Sequence, residues 1–314
     1  MYHRIDDPPV DAWGICVKAE RFAEHMDALS RAHLACRLTD VQRTSGRVAV
    51  TFDDGYADNL YTAKPILERY DIPATVFVIS GSIGQRSFWW DELEHLFLLT
   101  AKLPGDPLIL EVRGEEHQWT IEAGDLTLET DGPARHRRWI AWKDRPPTSR
   151  HATFYSVWSA LRQLPTNERA RQLAFIRQWA DVLDHPNDVR PMTRPELQQI
   201  STTRLIDIGA HTVTHTRLSG LSLPDQRREI TDCRESLAEA LGEAPSSFSY
   251  PFGGPEDYTP DTIAALQDAG FERACSTRGG TVRSTIDPYQ LPRAHVEDMN
   301  GDQFSRWLTE YLRH

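Results

Sequence analysis

Only four cysteines occur in 314 residues, and Cys16, Cys36, Cys233 and Cys275 form no Cys-x-x-Cys pair. That spacing indicates neither a disulfide framework nor a thiolate metal site, and the four read as reduced, mostly structural thiols. Long apolar runs are missing too: none approaches the roughly 18 residues that a transmembrane helix needs, so no integral membrane segment is expected. Positive charge is in deficit, with 35 Lys and Arg against 46 Asp and Glu and a formal net charge of −11. A nucleic-acid polymer is therefore not an expected partner, because phosphate attachment needs a positive field. The opening Met1 to Pro9 has neither the apolar core nor the small-residue cleavage site of a secretory signal, which makes cytoplasmic the expected location. Internal repeats and low-complexity tracts are also absent. What is present, 39% apolar and 26% charged residues, describes a globular chain with room for a buried site in one large domain or two smaller ones.

Strand and helix patterns alternate over the two ends of the chain, as in α/β folds with parallel strands. Val48 to Phe52 reads as a buried strand, Leu60, Ala63, Leu67 and Tyr70 as one face of a helix, and Ala74 to Ile79 as a second strand. Further strands are expected at Leu205 to Ala210, Ser247 to Tyr250 and Ala274 to Thr277. Between the first two of these, Ser222, Pro224 and Asp225 mark a helix start, Ile230, Cys233, Leu237 and Leu241 its buried stripe, and Gly242 its stop. Helices are also expected over Thr259 to Ala269 and Glu20 to Leu38. Residues 86 to 190 interrupt the alternation and hold seven of the nine tryptophans, with a hairpin pattern near Leu108 to Ile121 and helical patterns from Phe154 to Leu183. This stretch reads as an inserted mixed α+β subdomain with its own core, so the domains are expected at 1–85 plus 191–314 and at 86–190.

Three motifs stand at ends of expected strands, where α/β folds collect catalytic groups, and a fourth lies in a further apolar run. Thr51-Phe52-Asp53-Asp54-Gly55 places two carboxylates side by side, and a bound cation would relieve their repulsion; an Asp-Asp-Gly turn is the bland alternative. His211-Thr212-Val213-Thr214-His215 sets two imidazoles four apart, a spacing that lets both reach one metal ion. With 12 histidines, about 0.5 such pairs arise by chance, so the position after a strand carries the argument. Tyr250-Pro251-Phe252-Gly253 is a turn able to aim a backbone N–H into a site, or a plain loop. Leu291-Pro292-Arg293-Ala294-His295 carries an Arg and a His that would share one face of a strand.

Taken in order, Thr-Phe-Asp-Asp-Gly, His-Thr-x-x-His, Tyr-Pro-Phe-Gly and Leu-Pro-Arg-x-His resemble the motifs of the polysaccharide deacetylase family, carbohydrate esterase family 4. The resemblance spans Met1 to Gly81 and Pro191 to His314, and includes the Tyr2-His3-Arg4 start. It implies an irregular (β/α) barrel of about seven strands and hydrolysis of an acetyl group on a sugar, with a saccharide as the partner. By the same resemblance Asp53 is the general base, Asp54, His211 and His215 are the metal ligands, the Phe252 N–H helps hold the oxyanion, and His295 is the general acid. Zinc is the expected metal, although oxygen and nitrogen donors also accept cobalt, nickel, iron or manganese. A deformylase or other amidohydrolase on the same barrel, and a non-catalytic saccharide-binding barrel, are the alternatives.

Two departures from the family pattern stand out. Where the family has an Arg that orients the base, this chain has Ser249, and Arg293 is expected to supply that charge instead. The Asp-x-x-Asp-Trp motif that supports the catalytic histidine is missing near Cys275 to Arg278, so the sequence does not name the group that supports His295. Within the insertion, the basic residues Arg135, Arg137, Arg138, Lys143, Arg145 and Arg150 offer a place for a phosphate-, nucleotide- or lipid-linked sugar, or form a solvated face.

Overall fold

The computed structural model describes residues 1–44, 46–182 and 189–313. Contacts divide it into two compact units: Met1–Asp7 with Ile15–Gln85 and Pro191–His314, and Pro8–Gly14 with Arg86–Arg190.

The first unit is built on a parallel sheet of five strands in sequential order: β1 (Val50–Phe52), β2 (Ala74–Val78), β3 (Ile206–Ala210), β4 (Ser247–Ser249) and β5 (Arg273–Cys275). Two extended segments lengthen it at its edges. Tyr2 pairs in parallel with Phe52, and Leu291 with Cys275. These outer segments then bond to each other, since the Val296 N–H donates to Met1 O at 3.1 Å and the Met1 amino group to Ala294 O at 2.8 Å. Seven extended segments thus curl into the irregular (β/α) barrel that the motif order implies. Phe52, Val76, Val78, Ala210, Phe248 and Ala274 are buried in its core, where the strands are near-continuous apolar runs because both faces are covered.

The helices of this unit begin and end where local chemistry permits. Ser222 caps Leu223–Leu241 by accepting from Asp225 N–H, and Gly242 ends the helix with φ 85°. Its buried stripe runs through Ile230, Cys233, Leu237 and Ala240, so the 3.6-residue period turns Leu241 partly outward. Ala19–Arg31 is shorter than the expected span to Leu38. His33, at φ 53°, stops it: Leu34 N–H bonds to Leu29 O and His33 N–H to Ser30 O, a left-handed C-terminal motif with histidine where glycine is the usual signal. The helix expected around Leu60 to Tyr70 starts as a π-helical segment, Asn59–Ala63, before Lys64–Tyr70. All four cysteines are free thiols.

The second unit holds an antiparallel pair, Leu108–Val112 with Glu115–Trp119, and the longer helices Ser149–Leu161 and Thr166–Trp179. The helical pattern read to Leu183 ends outside the described residues. Its core includes Phe97, Leu108, Leu110, Trp139, Phe154 and Ile176, with Trp89, Trp119, Trp158 and Trp179 packed against it, while Trp142 is 66% exposed. The basic stretch does not form one cationic face. Arg150 is buried and donates to the carbonyls of Thr100, Asp125 and Leu126, and Arg135 is engaged by Glu129 and Asp131.

Candidate active site

β1 and β3 end in the motif residues, and the segments after β4 and Leu291 bring the others to the same neighbourhood. Just past β1 the chain turns sharply: Asp54 has φ 73° and Gly55 φ 83°, and Gly55 N–H bonds to Asp53 O. A Cβ on Gly55 would lie 3.1 Å from the Val78 side chain, so this bend needs glycine both for its dihedral and for its closeness to β2. The turn splits the two carboxylates. Asp53 and Asp54 are both buried, yet they meet different partners.

Asp54 faces two imidazoles. Its Oδ1 stands 3.5 Å from His211 Nε2 and 3.5 Å from His215 Nε2, and one ligand atom from each of the three residues lies within 4.8 Å of the others. His211 Nδ1 is 2.7 Å from Ser249 O. A carbonyl only accepts, so Nδ1 carries the proton and the neutral ring turns a bare Nε2 toward Asp54. Burial lowers the His211 pKa against the raising pull of Asp53 and keeps that ring neutral. Two donors bound about 2.1 Å from one tetrahedral ion stand about 3.4 Å apart, so this carboxylate and these imidazoles fit a divalent cation.

Asp53 meets Arg293 instead. The guanidinium forks onto it, Nη1 to Oδ1 at 2.7 Å and Nη2 to Oδ2 at 2.8 Å, and also bonds to Ser276 O, Thr51 Oγ1 and Ser249 Oγ. Ser249 Oγ donates to Asp53 Oδ2 at 3.3 Å while accepting from Arg293 Nη2, so the serine at the family's Arg position bridges the guanidinium and the carboxylate. Burial by itself would push the Asp53 carboxyl up; the Arg293 guanidinium outweighs that and holds it well below the usual carboxylate range. Burial likewise opposes the charge on Arg293, and Asp53 restores it, so the pair is ionised on both sides.

Phe252 follows β4 with φ 61°, its ring 5.0 Å from that of His215 and its carbonyl held by Thr277 Oγ1. Asp54, Thr212, His215 and Phe252 all adopt positive φ, a conformation that costs about 1–3 kcal/mol each in residues other than glycine and concentrates at functional sites. His295 is half-buried, and its ring centroid lies 5.9 Å from that of His3. His3 is a site neighbour that motif spacing passes over. Its Nδ1 is buried with no hydrogen-bond partner among the described residues, and burial, only partly opposed by Asp53, pushes the ring down to about 3, leaving it neutral. A second residue passed over is Glu229, whose carboxylate grips the loop between His211 and His215. The resemblance of the Tyr2-His3-Arg4 start is a signal for His3; nothing in the pattern marks Glu229, which stands beside the apolar stripe of its helix.

A family model described as polysaccharide deacetylase matches residues 40–98 and 152–274. The Bacillus subtilis (strain 168) protein YxkH, named as a polysaccharide deacetylase, is 33% identical over 318 residues, covering 98% of this chain and 74% of that one. Among solved structures, the Streptococcus pyogenes deacetylase PplD in complex with acetate superposes with TM-score 0.56 at 15% identity, over 98% of this chain and 94% of that one. The polysaccharide deacetylase BC0361 of Bacillus cereus does so with TM-score 0.58 at 13% identity, over 98% and 67%. At these identities the structures speak for the fold.

Proposed function

The chain belongs to the polysaccharide deacetylase family, and from that premise we propose that it is a metal-dependent hydrolase that removes the acetyl group from an N-acetylated saccharide. One observation carries the reading: a carboxylate locked in its ionised form, Asp53 under Arg293, adjoins a three-donor cluster, Asp54, His211 and His215. Amide hydrolysis needs a proton acceptor for the attacking water, a stabiliser for the carbonyl oxygen and a proton donor for the leaving amine. The cluster would hold a divalent ion, zinc by its donor set, which when bound polarises the acetamido carbonyl and acidifies a water molecule.

Asp53 accepts the proton of the attacking water. Its two oxygens are engaged by one guanidinium, so it stays ionised and cannot rotate away, at some expense of basicity. The Phe252 backbone N–H is the donor assigned to the carbonyl oxygen as negative charge grows on it. His295 delivers the proton to the departing amine. A neutral His3 beside it adds no competing positive charge. The saccharide comes from the family, whose named members are polysaccharide deacetylases.

The test combines metal analysis with acetate release from a panel of N-acetylated and N-formylated sugars and oligosaccharides. The expected outcome is about one zinc per chain and acetate release. Asp54→Ala should lose both, and Asp53→Asn should lose acetate release while keeping zinc. Formate release without acetate would assign a deformylase instead. Neither metal nor acyl release would refute the proposal and leave a saccharide-binding barrel.

A further inference from the structure

The loop from His211 to His215 presents both imidazoles of the cluster, and two of its residues, Thr212 (φ 64°) and His215 (φ 54°), occupy the left-handed region. For a β-branched threonine this is a genuine outlier, so the loop needs outside support to hold it. On its carbonyl side the support is backbone: Ser80 N–H bonds to Thr212 O at 3.1 Å and Gly81 N–H to Val213 O at 3.0 Å. On its N–H side a single carboxylate takes the load. Glu229 Oε2 accepts from Val213 N–H and Thr214 N–H, both at 2.9 Å, and Oε1 accepts from Thr214 Oγ1 at 2.7 Å. Inside the loop, His215 N–H bonds to Thr212 Oγ1 at 3.0 Å. Glu229 belongs to Leu223–Leu241, which is anchored in the core by Ile230, Cys233 and Leu237. The carboxylate therefore ties a strained loop to a rigid element.

Resting on the metal-site reading above, we infer that Glu229 is a positioning residue that sets metal affinity by holding the 211–215 loop in its ligating shape. It touches neither the ion nor the substrate. Groups that orient metal ligands from behind are worth about 10- to 100-fold in affinity. Glu229→Ala removes all three acceptor contacts. Glu229→Gln keeps an oxygen for both N–H groups, and the Thr214 hydroxyl can turn to accept from the new amide, so it should retain most of the effect.

Zinc dissociation constants from competition with a chromophoric chelator decide the matter, measured on wild type, Glu229→Ala, Glu229→Gln and Ser222→Ala. The last removes the cap of the same helix without touching the loop, and so reports what helix destabilisation alone does. Hydrogen exchange at the Val213 and Thr214 amides in metal-free protein is the second readout. Expected are a 10- to 100-fold weaker dissociation constant and faster exchange in Glu229→Ala, a smaller change in Glu229→Gln and none in Ser222→Ala. Wild-type affinity in Glu229→Ala, or an equal loss in Ser222→Ala, overturns the inference and leaves the metal site standing. Wild-type protein that binds no zinc overturns both.

Discussion

Removing the Arg293 guanidinium is the most demanding perturbation of this site. Arg293 and Asp53 are 8% and 3% exposed, and their forked pair at 2.7 and 2.8 Å has Ser249 Oγ as its third member. Breaking a buried pair by deleting one partner costs about 3–5 kcal/mol, because the remaining charge is stranded away from water. Arg293→Met should therefore destabilise the fold by about that much, and Asp53→Asn by less, since the amide oxygen still accepts from the guanidinium. With both changes made, no buried charge is left alone, and the loss should fall short of the sum of the single losses by about 2 kcal/mol. Urea denaturation of the four proteins measures this coupling directly. Turnover adds an independent readout: a general base contributes about 10²- to 10⁴-fold, so both single variants and the double should be slowed within that range, with no further loss on combining them. A coupling near zero, or an Arg293→Met enzyme with unchanged turnover, would refute the account of Asp53 as a base held by Arg293.

The remaining predictions concern metal and pH. Zinc at 100 times its dissociation constant should stabilise the protein by about 2.7 kcal/mol, seen as a raised melting temperature in wild type and no rise in His211→Ala; equal rises in both would place the ion elsewhere. His25 is fully buried, bonded through Nδ1 to Tyr2 Oη and through Nε2 to Met299 O, and burial pushes its ring down to about 4. Its folded value lies below the ordinary 6.5, so the unfolded chain binds the proton first. Stability is then complete above about pH 6.5 and declines as pH falls toward 4, by up to about 3 kcal/mol from this group. His25→Phe should remove that part of the slope in urea midpoints measured between pH 7 and pH 4, and an unchanged slope would assign it to other groups.

Which parts of this molecule can be read without coordinates follows from how far each feature depends on its neighbours in the chain. The strands β1 to β5 announce themselves as short apolar runs and the Leu223–Leu241 helix by a buried stripe of its own period, with Ser222 and Gly242 as its local start and stop chemistry. Asp54, His211 and His215 can be singled out by residue type and by their place after apolar strands, and folding sets their ligand atoms within 4.8 Å of one another. What escapes the pattern is of two kinds. One is departure from propensity: His33 ends a helix in the left-handed conformation that glycine usually takes, and Asn59–Ala63 widens into a π-helical turn that no periodicity reports. The other is the pairing of groups with no local signature. Arg150 looks like one more cation in a basic run, and only its three carbonyl partners show that it serves the interior of its unit. Glu229 looks like a solvent-facing helix residue until the positive φ of Thr212 and His215 creates a loop whose N–H groups need an acceptor. Both kinds of failure converge on the His211–His215 loop, and for one reason. A preorganised site holds backbone where its own residues would not go, so its support must come from side chains that its local sequence cannot name.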